Sequence, residues 1–167
     1  MHNPEYWNNT TVRQLERESI RSFVERQSGY LRGRVLDYGA GKPGTCHKPQ
    51  PYRDLVQGDY FPYDKGDELP DGPFDAILCT QVLSHIEDPG GLMRDFFAWL
   101  VPGGHLVMTY PTSWDEVDVT ELWRFTRWGA AWLIGAAGFR ILTHERRAEI
   151  DLNGFKFPLG YGVLACK

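Results

Sequence analysis

Apolar positions recur at helical spacing near the start of the chain and then gather into short, separated runs. Val12, Leu15, Ile20, Phe23 and Val24 follow a capping-box form, T-V-R-Q at 11–14, and predict an amphipathic helix that ends near Gln27, before Ser28-Gly29. Residues 33–38 read as a short buried strand running into a turn at 39–44 that holds Gly39, Gly41 and Gly44. Pro49 and Pro51 exclude a long helix directly after that turn, because a proline inside a helix costs about 3 kcal/mol. Residues 55–59 form the candidate second strand, with Asp59 at its end and Tyr60-Phe61-Pro62 leaving it.

The continuous apolar run at 74–80 has the character of a central strand covered on both faces. Asp88-Pro89 opens a helix whose apolar face is Leu92, Met93, Phe96, Phe97 and Leu100, and V-P-G-G at 101–104 is expected to stop it. Residues 105–110 are the next strand. Thr126 caps a helix through Ala137 that Gly138 terminates, and 139–144 and 161–166 are two last strands. Strand and helix in alternation predict a mostly parallel sheet with helices on both faces.

Composition changes this picture little. At 167 residues the chain fits one domain, and 42% apolar with 24% charged residues is the mix of an ordinary globular protein. A net charge of −4, whose densest basic cluster is Arg146-Arg147 beside Arg140 and His144, argues against nucleic acid as a partner. Three unpatterned cysteines, Cys46, Cys79 and Cys166, indicate neither a disulfide framework nor a zinc site, and Cys46-His47 lacks further ligands, so no metal is expected. Residues 1–6 lack the basic and apolar regions of a signal peptide, and no apolar run reaches the ~18 residues of a membrane span. A soluble, cytoplasmic protein without membrane partners is the expectation, with its oligomeric state open.

Gly39, Gly41 and Gly44 match G-x-G-x-x-G, where glycine lets the backbone approach a cofactor closely. Asp59, about twenty residues on, is a carboxylate for two ribose hydroxyls, which suits a nicotinamide dinucleotide and S-adenosylmethionine alike. Asp37, two residues before the first glycine, favours the second, because dinucleotide folds usually carry an apolar residue there.

The chain resembles the Rossmann-like S-adenosylmethionine-dependent methyltransferases of the type 11 pattern. The resemblance rests on V-L-D-Y-G-A-G at 35–41, Asp59, L-P-D-G-P-F-D at 69–75, V-L-S-H at 82–85, E-D-P at 87–89, L-V-P-G-G at 100–104 and A-G-F at 137–139. P-Y-R at 51–53 and W-R-F-T at 123–126 are similar to a subgroup of that family. The resemblance implies a three-layer α/β/α fold with a mostly parallel sheet and a C-terminal antiparallel strand; the chain departs from the family in its shortened helices after the first two strands, expected from Pro49 and Pro51 and from the seven residues that separate Asp59 from Asp67. It implies one domain over 1–167: a leading helix at 1–30, a cofactor-binding half at 33–110, and a substrate-side half at 111–167 with a C-terminal hairpin.

It also implies S-adenosylmethionine as cofactor and a small-molecule methyl acceptor. Asp37, Gly39, Ala40 and Gly41 would cradle the methionine part, and Asp59 with Tyr60 would hold the ribose. Asp67 and Glu68 would lie near the adenine, and Cys79, Thr80 and Gln81 would form the floor beside the sulfonium. His85 is a candidate base if the acceptor must lose a proton, and equally a packing residue at a helix entry. Trp114, Trp123 and Arg124 would contact substrate, in a stretch where aromatic rings can also attract a cation. Trp128, at core spacing on its helix, reads as part of a hydrophobic lid over the sheet. A nicotinamide-dependent oxidoreductase and a non-catalytic binding module on the same fold are the rival readings.

Overall fold

The computed structural model describes residues 10–41, 50–113 and 120–167. Helix α1 spans Thr10–Gln27, and strands β1 (Arg32–Tyr38), β2 (Gln57–Tyr63) and β3 (Phe74–Thr80) follow. Helix α2 (Pro89–Trp99) leads into β4 (Leu100–Pro111), and α3 (Arg127–Ala136) precedes β5 (Arg140–Leu152) and β6 (Phe155–Cys166). The six strands form one sheet in the order β2-β1-β3-β4-β6-β5. The first four run parallel, and β6 lies antiparallel between β4 and β5.

Alternation along the strands sends side chains to two cores, one on each face of the sheet. Val35, Ala76, Leu78, Val107 and Leu164 pack against Ile20, Phe23 and Val24 of α1, and Tyr52 and Val56 complete that layer. On the other face Leu36, Ile77, Leu106, Met108 and Val163 meet Leu92, Met93 and Phe96 of α2 and Ala130 and Ile134 of α3. Both of these helices start as their caps predict. The Asp88 carboxylate accepts from Gly91 N at 2.8 Å and the Thr126 hydroxyl from Gly129 N at 3.1 Å. The three-layer arrangement is therefore the expected one. Between Tyr63 and Phe74 there is no helix, and the chain crosses β1 in ten residues.

Four expectations are corrected. β2 is not residues 55–59: it begins at Gln57 and runs through Pro62 to Tyr63. It is an edge strand, and Tyr63 O faces β1, where it accepts from Gly39 N and Ala40 N. Pro62, one residue earlier, turns its missing donor to the open edge, where no ladder bond is lost. Second, the strand expected at 105–110 is longer and takes in V-P-G-G at 101–104. β4 starts at Leu100, directly after the helix, and a register shift between Phe74 and Ala76 absorbs these residues as a bulge.

Third, the last two strands are about twice their expected length. They are joined at Asn153-Gly154, both with positive φ (55° and 86°), the conformation of the tightest hairpin turn. Fourth, Trp128 is no lid: it is 76% exposed and Trp132 is 71% exposed, while the small Ala130 and Ile134 take the inward positions of α3.

Candidate active site

β1, β2, β3 and β4 all end on one edge of the sheet, the side on which open α/β sheets place ligands. At that edge the chain leaves β1 through Gly39-Ala40-Gly41. Gly39 N and Ala40 N both donate to Tyr63 O, at 2.8 and 3.1 Å, and Gln50 N donates back to Ala40 O at 2.6 Å. Gly39 has φ of +85°, and a Cβ there would overlap the Val82 side chain. The turn is thus pinned between the end of β2 and the segment after β3, with room only for glycine.

Asp37 lies beneath this turn and is 1% exposed. Tyr60 OH donates to its Oδ2 at 2.5 Å. Burial pushes the Asp37 carboxyl up to about 6, the Tyr60 bond works against that rise, and the nearby Asp64 carboxylate adds to it. Burial likewise raises the Tyr60 hydroxyl, reinforced by the charge of Asp37. Arg53 stacks 5.0 Å above the Tyr60 ring. Tyr52, the tyrosine of P-Y-R, is pushed up to about 12 by burial and bonds the Thr80 side chain at the end of β3. Gln81 follows with φ of +59°, a costly conformation for a residue with a side chain, held by its N–H on Thr109 O at 2.9 Å.

Asp59 does not close the second strand. It is the third of seven residues, paired with Arg34 and exposed, two-thirds of the strand away from the glycine turn. The acidic residue at the carboxyl end of β2 is Asp64, which lies beyond the strand expected at 55–59 because Pro62 reads as a strand end. Tyr60 reaches Asp37 and not a neighbour of Asp59. Asp67 closes the turn after β2, its carboxylate accepting from Asp64 N at 2.9 Å, and it and Glu68 are exposed.

His85 lies on the short helical turn Leu83–His85, its Nδ1 2.9 Å from the Thr120 hydroxyl. Trp123 uses its indole N–H on Ile86 O at 2.8 Å, and the backbone N–H groups of Leu122 and Trp123 both reach Ser84 O. This latches the 120–126 stretch onto the segment that follows β3. Arg124 is bonded to Glu121 at 2.6 Å. Cys79 is fully buried, and burial raises its thiol far above the usual range, so it serves as core. Gly44, Cys46, His47 and Trp114 lie outside the described residues.

Two residues with no sequence signal complete the edge. Glu16 of α1 and Arg147 of β5 meet at 3.7 Å on the α1 side of the sheet, and Gln81 Nε2 lies 3.5 Å from the same Glu16 oxygen. Arg147 belongs to the densest basic cluster of the sequence, yet it is 3% exposed. Burial lowers it to about 10, and Glu16 opposes that fall.

A family profile described as "Methyltransferase domain" matches residues 12–143, most of the chain. An S-adenosylmethionine-dependent methyltransferase from Mesorhizobium loti has a similar fold, with a TM-score of 0.62 at 17% identity over 92% of this chain and 98% of that one. So does the 1,6-didemethyltoxoflavin-N1-methyltransferase of Burkholderia thailandensis, solved with 1,6-didemethyltoxoflavin and S-adenosylhomocysteine (TM-score 0.61, 19% identity, 89% and 78% covered). Among curated proteins, phosphoethanolamine N-methyltransferase 3 of Arabidopsis thaliana is 43% identical over 42 residues, 25% of this chain and 9% of that protein. The chain therefore spans less than a tenth of that relative's length. A family match over most of the chain, on the fold of S-adenosylmethionine-dependent methyltransferases and with an acidic residue and glycine turn at the expected edge, identifies the chain as a member of the methyltransferase-domain family.

Proposed function

We propose that this protein transfers a methyl group from S-adenosylmethionine to a small-molecule acceptor. The observation that carries the reading is the pairing of a buried carboxylate, Asp37, with a glycine turn that has no room for a side chain. An aspartate desolvated to the point that its proton affinity rises, with one neutral partner, is costly unless a cationic or hydrogen-bonding group joins it. The amino-acid end of the cofactor supplies an ammonium group of that kind.

In this reading Asp37, Gly39 and Ala40 hold the methionine part, and Asp64 takes the ribose role that the sequence assigns to Asp59. Thr80 and Gln81 border the reacting end. When bound, the cofactor supplies an electrophilic methyl group on a sulfonium. The chain's task is then chiefly alignment, since in-line displacement depends on reactants held at about 3–3.5 Å more than on acid or base help. His85, tied to Thr120, serves to position the segment after β3. Trp123 holds the 120–126 stretch in place through its bond to Ile86, and its exposed ring is left to face substrate. We place the activity in the cytosol, where the free thiols Cys79 and Cys166 stay reduced.

The relatives support a small acceptor through the substrates their names carry, a didemethylated toxoflavin in one and phosphoethanolamine in the other. Calorimetric titration with S-adenosylhomocysteine and with NAD tests the reading. Saturable binding of the first and none of the second is expected. Tighter binding of NAD, or no binding of S-adenosylhomocysteine, overturns it.

A further inference from the structure

Helix α3 departs from the pattern of a surface helix, whose outward face is polar. Its sequence is R-W-G-A-A-W-L-I-G-A, with Arg127 as the one polar side chain, and Arg127 is turned onto His144 O at 2.8 Å. Ala130 and Ile134 face the sheet, and Leu133 lies along α2, where a Cβ on Gly90 would meet it at 3.8 Å. At about 100° per residue the opposite face is Trp128, Gly129, Trp132, Gly135 and Ala136. All five are exposed, Trp128 and Trp132 by 76% and 71%. A helix that is apolar all round is ordinarily buried, and the methyl-transfer reading gives this face no role.

The face holds both halves of a contact. Trp128 and Trp132 stand one turn apart as a ridge, and the Arg127 guanidinium lies 5.4 Å over the Trp128 ring. Gly135 leaves a hole, since a Cβ there would touch nothing within 4 Å. Two copies related by a two-fold axis at Trp132, with their α3 helices antiparallel, would bring Trp128 of each over Gly135 of the other and Gly129 over Ala136, while the two Trp132 rings met on the axis. A parallel pairing would set Trp128 on Trp128 and leave the glycines facing each other. The antiparallel direction also puts the positive end of each helix, which carries Arg127, beside the negative end of its copy.

We infer that the outward face of α3 is a self-association surface, and that its occupant is a second copy of this chain packed antiparallel about Trp132. Tryptophan is enriched at the energetic centres of interfaces, and no charged side chain of the outward face would be buried between the two helices. Covering the exposed parts of the two rings removes roughly 200–400 Å² from water on each copy. That is less than the about 800 Å² per partner of a standard interface, so the dimer is a weak one that forms at micromolar or higher concentration. A membrane surface fits this face less well. Interfacial helices pair such rings with lysine and arginine on a polar face, whereas the single cation of α3 is engaged by His144 O.

Sedimentation velocity of the full chain, from about 1 μM to 1 mM, tests the proposal. A reversible monomer–dimer equilibrium is expected. Trp132→Lys, which opposes two like charges on the axis, and Gly135→Gln, which fills the hole, should each weaken association by roughly tenfold or more. Gly135→Gln separates association from folding. Its side chain enters open space in the monomer and replaces a glycine within a helix, so the melting temperature of the dilute protein should not fall. If Trp132→Lys does not fold, Gly135→Gln carries the test alone. A chain that stays monomeric throughout, or a dimer whose affinity Gly135→Gln leaves unchanged, overturns the proposal. Sedimentation with phosphatidylserine vesicles by a chain that is otherwise monomeric also overturns it and assigns the face to a membrane surface instead.

Discussion

The Tyr60 hydroxyl on β2 donates to the Asp37 carboxylate on β1 at 2.5 Å, and this bond joins the edge strand to the strand that leads into the glycine turn. It is also the interaction that holds down a proton affinity which burial raises. A carboxyl at about 6 in the folded state, against 3.8 in the open chain, binds its proton more tightly when folded. The stability it withholds is therefore small below about pH 4 and grows as pH rises through about 6. Asp37→Asn should thus raise the melting temperature at pH 7.5 and leave it little changed near pH 4, while weakening S-adenosylhomocysteine binding at least tenfold. Tyr60→Phe should shift the acid limb of S-adenosylhomocysteine binding to higher pH. Thermal unfolding and calorimetry across pH 4–8 check both.

Gly39→Ala meets two obstacles, a positive φ and the Val82 side chain. The expected result is loss of S-adenosylhomocysteine binding. Adding Val82→Ala should restore part of the affinity, because it relieves the overlap but not the backbone conformation. A double variant no better than the single one would mean that the overlap is unimportant.

Asp64 and Asp59 separate the two placements of the second strand. Hydrogen bonds to a charged group contribute about 1.5–3 kcal/mol each, so Asp64→Ala should weaken S-adenosylhomocysteine binding by tenfold or more. Asp59→Ala, on the exposed middle of β2, should leave it within about twofold. The reverse ranking in calorimetry would return the ribose to Asp59.

Arg147 has a fully buried side chain that bonds three elements. Arg147→Met should destabilise the fold by about 3–5 kcal/mol in denaturant unfolding, since it strands the Glu16 charge under α1. Glu16→Gln in the same chain should recover part of that loss by removing the uncompensated charge.

His144 lies 2.7 Å from the Tyr110 hydroxyl through its Nε2, and burial with the charge of Arg127 lowers it to about 4. A histidine depressed below its unfolded value of 6.5 contributes stability that is present above about pH 6.5 and lost as pH falls through about 4. His144→Gln should flatten that acid-side loss. Because Asp37 acts in the opposite direction over the same interval, the difference between variant and wild type, rather than the wild-type slope, is the quantity to measure.

What the sequence determined by itself was local. Apolar spacing placed α1, and the Asp88 and Thr126 caps placed the starts of α2 and α3, because a cap acts within a few residues of its own position. Continuous apolar runs marked β1, β3 and the core of β4, and V-L-D-Y-G-A-G located the glycine turn after β1. What only the tertiary structure decided were matters of neighbourhood. Pro62 is compatible with a strand solely because β2 has one open edge, so the end of that strand, and with it which acidic residue, Asp59 or Asp64, stands at its carboxyl end, depended on strand order. Trp128 and Ala130 lie on one helix, but which of them faces the sheet depends on how α3 packs. Arg147 stands in the densest basic cluster of the chain. It is buried because α1, more than a hundred residues earlier, brings Ser19 and Glu16 to it, and no window of local sequence contains both partners.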